Sequence, residues 1–148
     1  MNARPLMRLH LTTSATEEIG PTPHGTLSIF PITSGSFEGE RLRGIVLSGA
    51  DWVTAAAGGT FELDLRLTLE TDDGGLISMR SFGLRHGPPE VLEALARGEA
   101  VDPASYYFRT TPRFETAHPA YAFLNHLITV ATGDRRADGP IYTVHELL

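Results

Sequence analysis

The stretch Thr60-Phe-Glu-Leu-Asp-Leu-Arg-Leu-Thr-Leu-Glu70 alternates between apolar and polar side chains along most of its length. Successive side chains of a β-strand point to opposite faces, so the leucines at 63, 65, 67 and 69 share one face and the polar residues share the other. Asp72-Asp-Gly-Gly75 follows, with residue types that tolerate the positive φ angles of tight turns. The pattern predicts a β-hairpin whose second strand covers Leu76–Leu84.

Outward from this hairpin, the chain is punctuated by 15 glycines and 10 prolines at short intervals. Short apolar or alternating segments between such turn residues are typical of an all-β sandwich or barrel. Segment Glu17–Gly25 is expected to be a loop because of its prolines, and Gly133–Gly139 a connecting loop. The other predicted strands are Leu6–Thr12, Leu27–Thr33, Arg41–Leu47, Asp51–Ala56, Tyr106–Thr111, Phe123–Thr132 and Ile141–Leu147.

One helix is predicted, over Pro88–Gly98. Proline opens the segment, Val91, Leu92 and Leu95 form an apolar stripe at helical spacing, and the glycine ends it. Strands and helices do not alternate along the chain, so a parallel sheet is not expected. We therefore predict a single domain over residues 1–148, an all-β antiparallel barrel of about eight or nine strands with one short helix. A sandwich remains the alternative.

Composition excludes several classes of function. The net charge of −6 disfavours nucleic-acid binding, and the absence of cysteine rules out disulfides and thiolate metal sites. No apolar run resembles a secretory signal or a membrane span. The expected location is the cytoplasm, with no membrane partner.

The short motifs of nucleotide, hydrolase and zinc sites are missing. The six histidines show no pair at ligand spacing, so we predict no metal and no cofactor, although a metal held by distant carboxylates stays open.

Three groups of residues are candidates for a site. Asp64 and Arg66 lie two residues apart on one strand face, which either contacts solvent or points into the barrel, where the two charges would pair. Asp51 precedes the only tryptophan, Trp52, and is either a turn residue or an acid–base group beside an aromatic wall.

The third group lies in segment 106–125, which combines aromatic residues with a few polar ones. That composition suits a small-molecule pocket and equally a well-packed barrel end. Its candidate members are Tyr107, Arg109, Phe114, Glu115, Tyr121 and Asn125.

Several stretches together resemble a known family. They include Gly20-Pro-Thr-Pro-His-Gly25, Pro31-Ile-Thr-Ser-Gly-Ser-Phe-Glu-Gly39, Gly49-Ala-Asp-Trp52, Leu63-Asp-Leu-Arg66, Pro112-Arg-Phe-Glu-Thr116 and Tyr121-Ala-Phe-Leu-Asn125. In this order and spacing the chain is similar, from about residue 6 to its end, to the uncharacterised domain of unknown function 3237 family. The resemblance implies a calycin-like antiparallel β-barrel and, from the metabolic associations of the family, an aromatic or polyketide-like ligand. The family's motif positions fall here on Asp51, Trp52, Asp64, Arg66, Arg109, Glu115, Tyr121 and Asn125, which favours an inward Asp64–Arg66 pair.

The leading hypothesis is a barrel that binds a small, partly aromatic molecule and performs a cofactor-free acid–base step such as dehydration, isomerisation or cyclisation. Asp51 or Glu115 would be the acid or base, while Arg66 and Arg109 would hold an anionic group. Contacts to the ligand would come from Trp52, Asp64, Tyr107, Phe114, Tyr121, Asn125 and, at the mouth, His24.

Two alternatives stay open. The first is a non-catalytic carrier or sensor with the same pocket. The second is a homodimeric interaction protein without an internal site, which applies if Leu63–Leu69 face outward and must be covered by a second copy.

Overall fold

Nine β-strands, one α-helix and two short 3-10 helices make up the computed structural model, which describes every residue from Met1 to Leu148. The strands are β1 (Ala3–Thr13), β2 (Glu17–Thr22), β3 (Gly25–Glu38), β4 (Arg43–Ala55), β5 (Phe61–Thr71), β6 (Leu76–His86), β7 (Tyr107–Glu115), β8 (Thr129–Arg136) and β9 (Gly139–Leu147). Helix α1 covers Pro89–Ala96, and the 3-10 helices cover Pro103–Ser105 and Pro119–His126.

Every neighbouring pair of strands is antiparallel, in the order β1-β9-β8-β7-β6-β5-β4-β3-β2. An additional pairing between β1 and β3 joins the two sides of this sheet. Eight strands therefore form a closed barrel, and β2 is an extra strand attached to β3. The predicted antiparallel barrel with one short helix is confirmed.

Strand β3 changes partner along its length. Its first residues, Thr26–Ile29, pair with β2, and residues from Ile32 onward pair with β1. Pro31 lies at the change of partner, where a residue without a backbone N–H is tolerated more easily than in a continuous central ladder. The sequence reading of Glu17–Gly25 as a loop was wrong, because β2 forms there as an edge strand.

Two other predicted segments differ from the structure. Arg41–Leu47 and Asp51–Ala56 belong to the single strand β4, which contains a bulge between Val46 and Ser48. Phe123–Thr132 is only partly a strand, and the predicted loop Gly133–Gly139 is largely the end of β8.

The first half of Phe123–Thr132 forms a 3-10 helix because of its local sequence. Pro119 occupies the first turn, and Nδ1 of His118 accepts a hydrogen bond from the backbone N–H of Ala120 at 3.2 Å. Leu124 on this helix is buried against the barrel core. The apolar residues that suggested a strand instead close one end of the barrel.

The four leucines of β5 point into the barrel. They are 0–4% exposed and belong to one continuous core with residues from the other barrel strands. Burying a leucine side chain contributes about 1.5–3 kcal/mol, so this face determines how β5 is oriented. Asp64 and Arg66 consequently point outward, with side chains 48% and 51% exposed. The expectation of an inward Asp64–Arg66 pair was wrong, and the reason given for a covering homodimer does not hold.

No helix of this chain has the length and apolar character needed to cross a bilayer.

The close packing of β4 on β5 gives a test of the fold. A Cβ atom added to Gly44 would lie 1.9 Å from the backbone oxygen of Glu70, whereas nothing lies within 4 Å of one added to Gly58. Gly44→Ala should lower the free energy of unfolding by about 1–3 kcal/mol because the two strands must separate. The control Gly58→Ala should change it by less than about 0.5 kcal/mol in urea titrations. Equal stabilities of the two variants would contradict the β4–β5 register.

Candidate functional site

One end of the barrel contains a cleft lined by both charged and apolar side chains. It lies where β4, β6 and β8 end and where β9 begins. The charged and polar lining residues are Asp51, Arg85, Arg135, Tyr142 and Thr13. The main apolar lining residues are Leu11, Phe30, Ile32, Val53, Leu63 and Phe108.

Asp51 is buried in this cleft. The alternation of β4 points it inward together with Val53, and only 7% of the residue is exposed. Its Oδ1 atom is shielded from solvent and has no hydrogen-bond partner. Burial raises the pKa of the carboxyl group from 3.8 to about 7, against the opposing effect of the positive charge of Arg85. Asp51 can therefore gain or lose a proton near neutral pH.

Arg85 enters the same cleft from β6. Its guanidinium carbon lies 4.8 Å from the ring centre of Phe61 and 5.6 Å from that of Phe108, distances typical of cation–π contacts. Its Nε atom is buried and has no hydrogen-bond partner, and burial lowers the pKa of the guanidinium. A guanidinium keeps its charge in proteins, so Arg85 remains a cation with an unused donor.

Arg135 is the second cation of the cleft. Its backbone N–H donates a hydrogen bond to the hydroxyl oxygen of Tyr106 at 2.8 Å, and its guanidinium lies 5.7 Å from the ring centre of Phe30. Neither Arg135 nor Arg85 forms an ion pair with Asp51. The charged groups of the cleft thus lie near one another without direct contact.

Tyr142 of β9 forms part of the cleft wall. It is 2% exposed and meets Phe108 edge to face, with ring centres 5.5 Å apart. Burial and then the negative charge of Asp51 raise the pKa of its hydroxyl group. Tyr142 therefore stays neutral at physiological pH and can act as a hydrogen-bond donor.

The cleft is narrow. Its unfilled space is about 380 Å³ when the part open to solvent is included, but only about 20 Å³ can hold the centre of a water molecule. That space accepts about one ordered water. An organic ligand would enter only after the side chains at the mouth, such as the partly buried Phe30, move aside.

The structure separates the predicted site residues into distant groups. Among them, Asp51 alone reaches the cleft. Trp52, Asp64 and Arg66 lie together on the outer wall of the barrel. The guanidinium carbon of Arg66 is 5.8 Å from the ring centre of Trp52, and its Nη2 atom is 3.2 Å from Oδ2 of Asp64. His24 is exposed in the turn between β2 and β3.

Tyr107 and Arg109 also point outward from β7. The Arg109 guanidinium carbon lies 5.3 Å from the Tyr107 ring centre and its Nη1 donates a hydrogen bond to the backbone oxygen of Phe108. They line a shallow groove along the β7–β8 seam, whose unfilled space is about 870 Å³ when the part open to solvent is included. Only two positions are paired between these strands.

The remaining predicted residues lie at the opposite end of the barrel. Phe114 is buried in the core, whereas Glu115 is exposed on the outer face. Asn125 exchanges two hydrogen bonds with the backbone of Thr116, at 2.8 and 2.9 Å, and the Tyr121 hydroxyl donates to Asp73. These contacts hold the second 3-10 helix against β7 and the β5–β6 turn.

A second buried carboxylate, Glu146, lies at this opposite end and is fully paired. Arg4 Nε donates to it at 2.7 Å, and Arg41 contacts its other oxygen. Although burial alone would raise the pKa of Glu146, the hydrogen bonds from Arg41 and Arg4 hold it below its ordinary value. Buried carboxylates are normally paired in this way, so Asp51, which forms no ion pair, is the exception in this chain and the first candidate for a functional group.

Sequence reasoning missed Arg85, Arg135 and Tyr142. The alternation Ile77, Met79, Ser81, Gly83 leads directly to an inward position 85, but the predicted strand ended one residue earlier. Extending that alternation would have identified Arg85. Arg135 was assigned to a loop, and no local pattern in β9 singles out Tyr142. No group of three or more His, Asp or Glu side chains is arranged to hold a metal ion.

These observations define a closed antiparallel β-barrel with an ionisable cleft at one end. The chain belongs to the family described as protein of unknown function DUF3237, whose model matches residues 1–147. A similar protein is the UPF0311 protein RPA1785 of Rhodopseudomonas palustris, which is 42% identical over 125 residues, or 84% of this chain and 82% of that protein.

Solved structures share the fold. A β-barrel-like protein from Acinetobacter baumannii is 39% identical with a TM-score of 0.87, over 99% of this chain and 96% of that one. A protein from Penicillium herquei described as an enzyme has a TM-score of 0.75 over 99% of this chain and 94% of that one, at 18% identity. The last comparison shows a common fold alone.

The raised pKa of Asp51 predicts an unusual dependence of stability on pH. Between about pH 4 and pH 7 the folded state binds more protons than the unfolded state, so stability falls as pH rises through this range and then levels off. The full shift corresponds to a loss on the order of 4 kcal/mol. Asp51→Asn removes the titrating group, so its stability relative to the native chain should increase from about pH 5 to about pH 8.

Chemical denaturation of both proteins across this range measures the effect. Glu62→Gln, which changes an exposed carboxylate of β5 that does not act on Asp51, is the control and should follow the native chain. A difference between Asp51→Asn and the native chain that is the same at every pH would show that Asp51 titrates normally.

Proposed function

We propose that this barrel binds a small, partly aromatic organic molecule in the cleft at Asp51 and that Asp51 exchanges a proton with it. The observation that carries the proposal is a buried carboxyl group that forms no ion pair, whose Oδ1 atom has no hydrogen-bond partner and whose pKa lies near neutrality. Such a group is costly for stability, and groups with strongly perturbed pKa values concentrate at functional sites.

The surrounding groups suit cofactor-free acid–base chemistry next to a carbonyl group. As a carboxylate, Asp51 would take a proton from the carbon beside the carbonyl, and the electron pair would move to the carbonyl oxygen. The cation of Arg85 and the neutral hydroxyl of Tyr142 are able to stabilise the resulting oxyanion. Return of the proton at another carbon gives an isomerisation. If a hydroxyl group on the next carbon leaves, it takes the proton from Asp51 and departs as water, which is a dehydration that yields an enone. Addition of an internal hydroxyl group to such an enone closes a ring, with the hydroxyl proton transferred through Asp51 to the carbon beside the carbonyl.

The apolar lining supports a ligand with an aromatic body. The Phe30 ring lies beside Arg135 and the Phe108 ring beside Arg85. Val53 and Leu63 add further apolar lining. Mostly apolar walls with a few polar groups are typical of small-molecule sites. The same fold occurs in a Penicillium herquei protein described as an enzyme, so this architecture is compatible with catalysis.

Proton exchange at carbon gives a direct test. The native chain would be incubated in deuterium oxide with aryl methyl ketones, with and without a carboxylate substituent, and deuterium incorporation followed by mass spectrometry. Incorporation should rise with pH through about 7 as Asp51 ionises. Asp51→Asn should slow it by about 100-fold or more, because general bases contribute roughly that much.

Glu62→Gln serves as the matched control and should retain the native rate, because Glu62 is exposed on the outer face of β5 and its charge does not act on Asp51. Exchange at equal rates in the native chain and Asp51→Asn would refute the proposed role of Asp51. Saturable binding of these ketones without any exchange would favour the carrier or sensor alternative.

A further inference from the structure

The ionisable groups of the cleft do not balance in charge. Its lining contains two cations, Arg85 and Arg135, and a single carboxyl group, Asp51, which is neutral in part near pH 7. Tyr142 is the remaining ionisable lining residue and is uncharged. A chain with an overall charge of −6 thus concentrates positive charge at one end of its barrel interior.

Arg85 shows that this charge is not compensated by the protein itself. The six ion pairs of the chain leave Arg85 out, and its buried Nε donates no hydrogen bond. Contacts with the rings of Phe61 and Phe108 offset part of the cost of burial, but they give the Nε–H group no acceptor. A half-buried cation with a buried, unused donor is a good partner for an anionic ligand.

We infer that the cleft selects a compact organic monoanion, whose carboxylate accepts hydrogen bonds from Arg85 and lies near Arg135 while its apolar body packs against Phe30 and Phe108. This inference names the ligand class of the site and rests on the proposed function for the location of the ligand. A guanidinium matches a carboxylate in a two-point geometry, and the apolar walls disfavour strongly hydrated dianions such as inorganic phosphate.

Binding of such an anion is coupled to the proton on Asp51. The titratable groups around Asp51 are Arg85 on β6, Arg135 on β8, Tyr142 on β9 and Asp64 on the outer face of β5. Burial raises the pKa of the Tyr142 hydroxyl and of the Tyr106 hydroxyl beside β7, so both are neutral near pH 7. The pKa of Asp51 is about 7, so the charge of this group changes near neutrality. Its ionised form repels an anion, so affinity should decrease as pH rises through neutral.

Benzoate and benzamide provide matched probes, because they share a ring and differ in charge. Titration calorimetry with the native chain should show benzoate binding about tenfold or more tightly than benzamide, as expected for charge-assisted hydrogen bonds. Benzoate affinity should fall between about pH 6 and about pH 8.5, with proton uptake on binding that is absent in Asp51→Asn.

Two variants of β6 separate a binding role of Arg85 from a structural one. Arg85→Gln should abolish the preference for benzoate while leaving thermal stability unchanged or raised, because it removes an unpaired buried charge. Arg80→Gln, on the exposed face of the same strand, should bind benzoate as the native chain does.

Equal affinities for benzoate and benzamide in the native chain, or an undiminished preference in folded Arg85→Gln, would overturn the inference. The comparison of the two probes needs no variant and decides the matter even if Arg85→Gln does not fold. Failure here would not affect the proposed function, which the deuterium exchange of uncharged ketones at Asp51 tests separately.

Discussion

Pairing of β1 with β3 closes the barrel, and this closure is the constraint on which the rest of the structure depends. Closure leaves eight of the nine strands without a free edge and gives every one of them an inner and an outer face. The interior of an eight-stranded barrel is wide enough either for packed side chains or for one small ligand. The leucines of β5 and their partners fill its middle, so an internal ligand site has room only at an end.

Each end of the barrel contains a buried carboxyl group, and the two groups differ in whether an arginine pairs with them. At the end covered by the second 3-10 helix, Glu146 is held by Arg4 and Arg41, and its charge is satisfied. At the other end, Asp51 faces Arg85 and Arg135 without touching either. The first arrangement stabilises the fold. The second leaves Oδ1 of Asp51 and Nε of Arg85 without hydrogen-bond partners in the chain, at a cost in stability.

The same closure explains the distribution of aromatic and charged residues outside the barrel. Trp52, Asp64 and Arg66 sit on adjacent outer positions of β4 and β5, and Tyr107 and Arg109 contact each other on β7. These contacts do not require a cavity, because an arginine and an aromatic ring stabilise each other on an exposed sheet surface and not only in a buried pocket. Aromatic and charged residues that are close in sequence are therefore weak evidence for an internal pocket.

The sequence by itself determined the class of fold, the hairpin around Asp72–Gly75 and helix α1, because these depend on local alternation and turn residues. It also identified Asp51 as a candidate site residue, because this carboxylate precedes the only tryptophan. Which face of β5 points inward was open in the sequence, and the structure decided it through the free energy of burying four leucines. Only the tertiary structure brought Arg85, Arg135 and Tyr142 to Asp51. Those residues come from three other strands, β6, β8 and β9, which are distant from Asp51 in the sequence. Their meeting with Asp51 depends on strand register and barrel closure, which a pattern within any one strand does not encode.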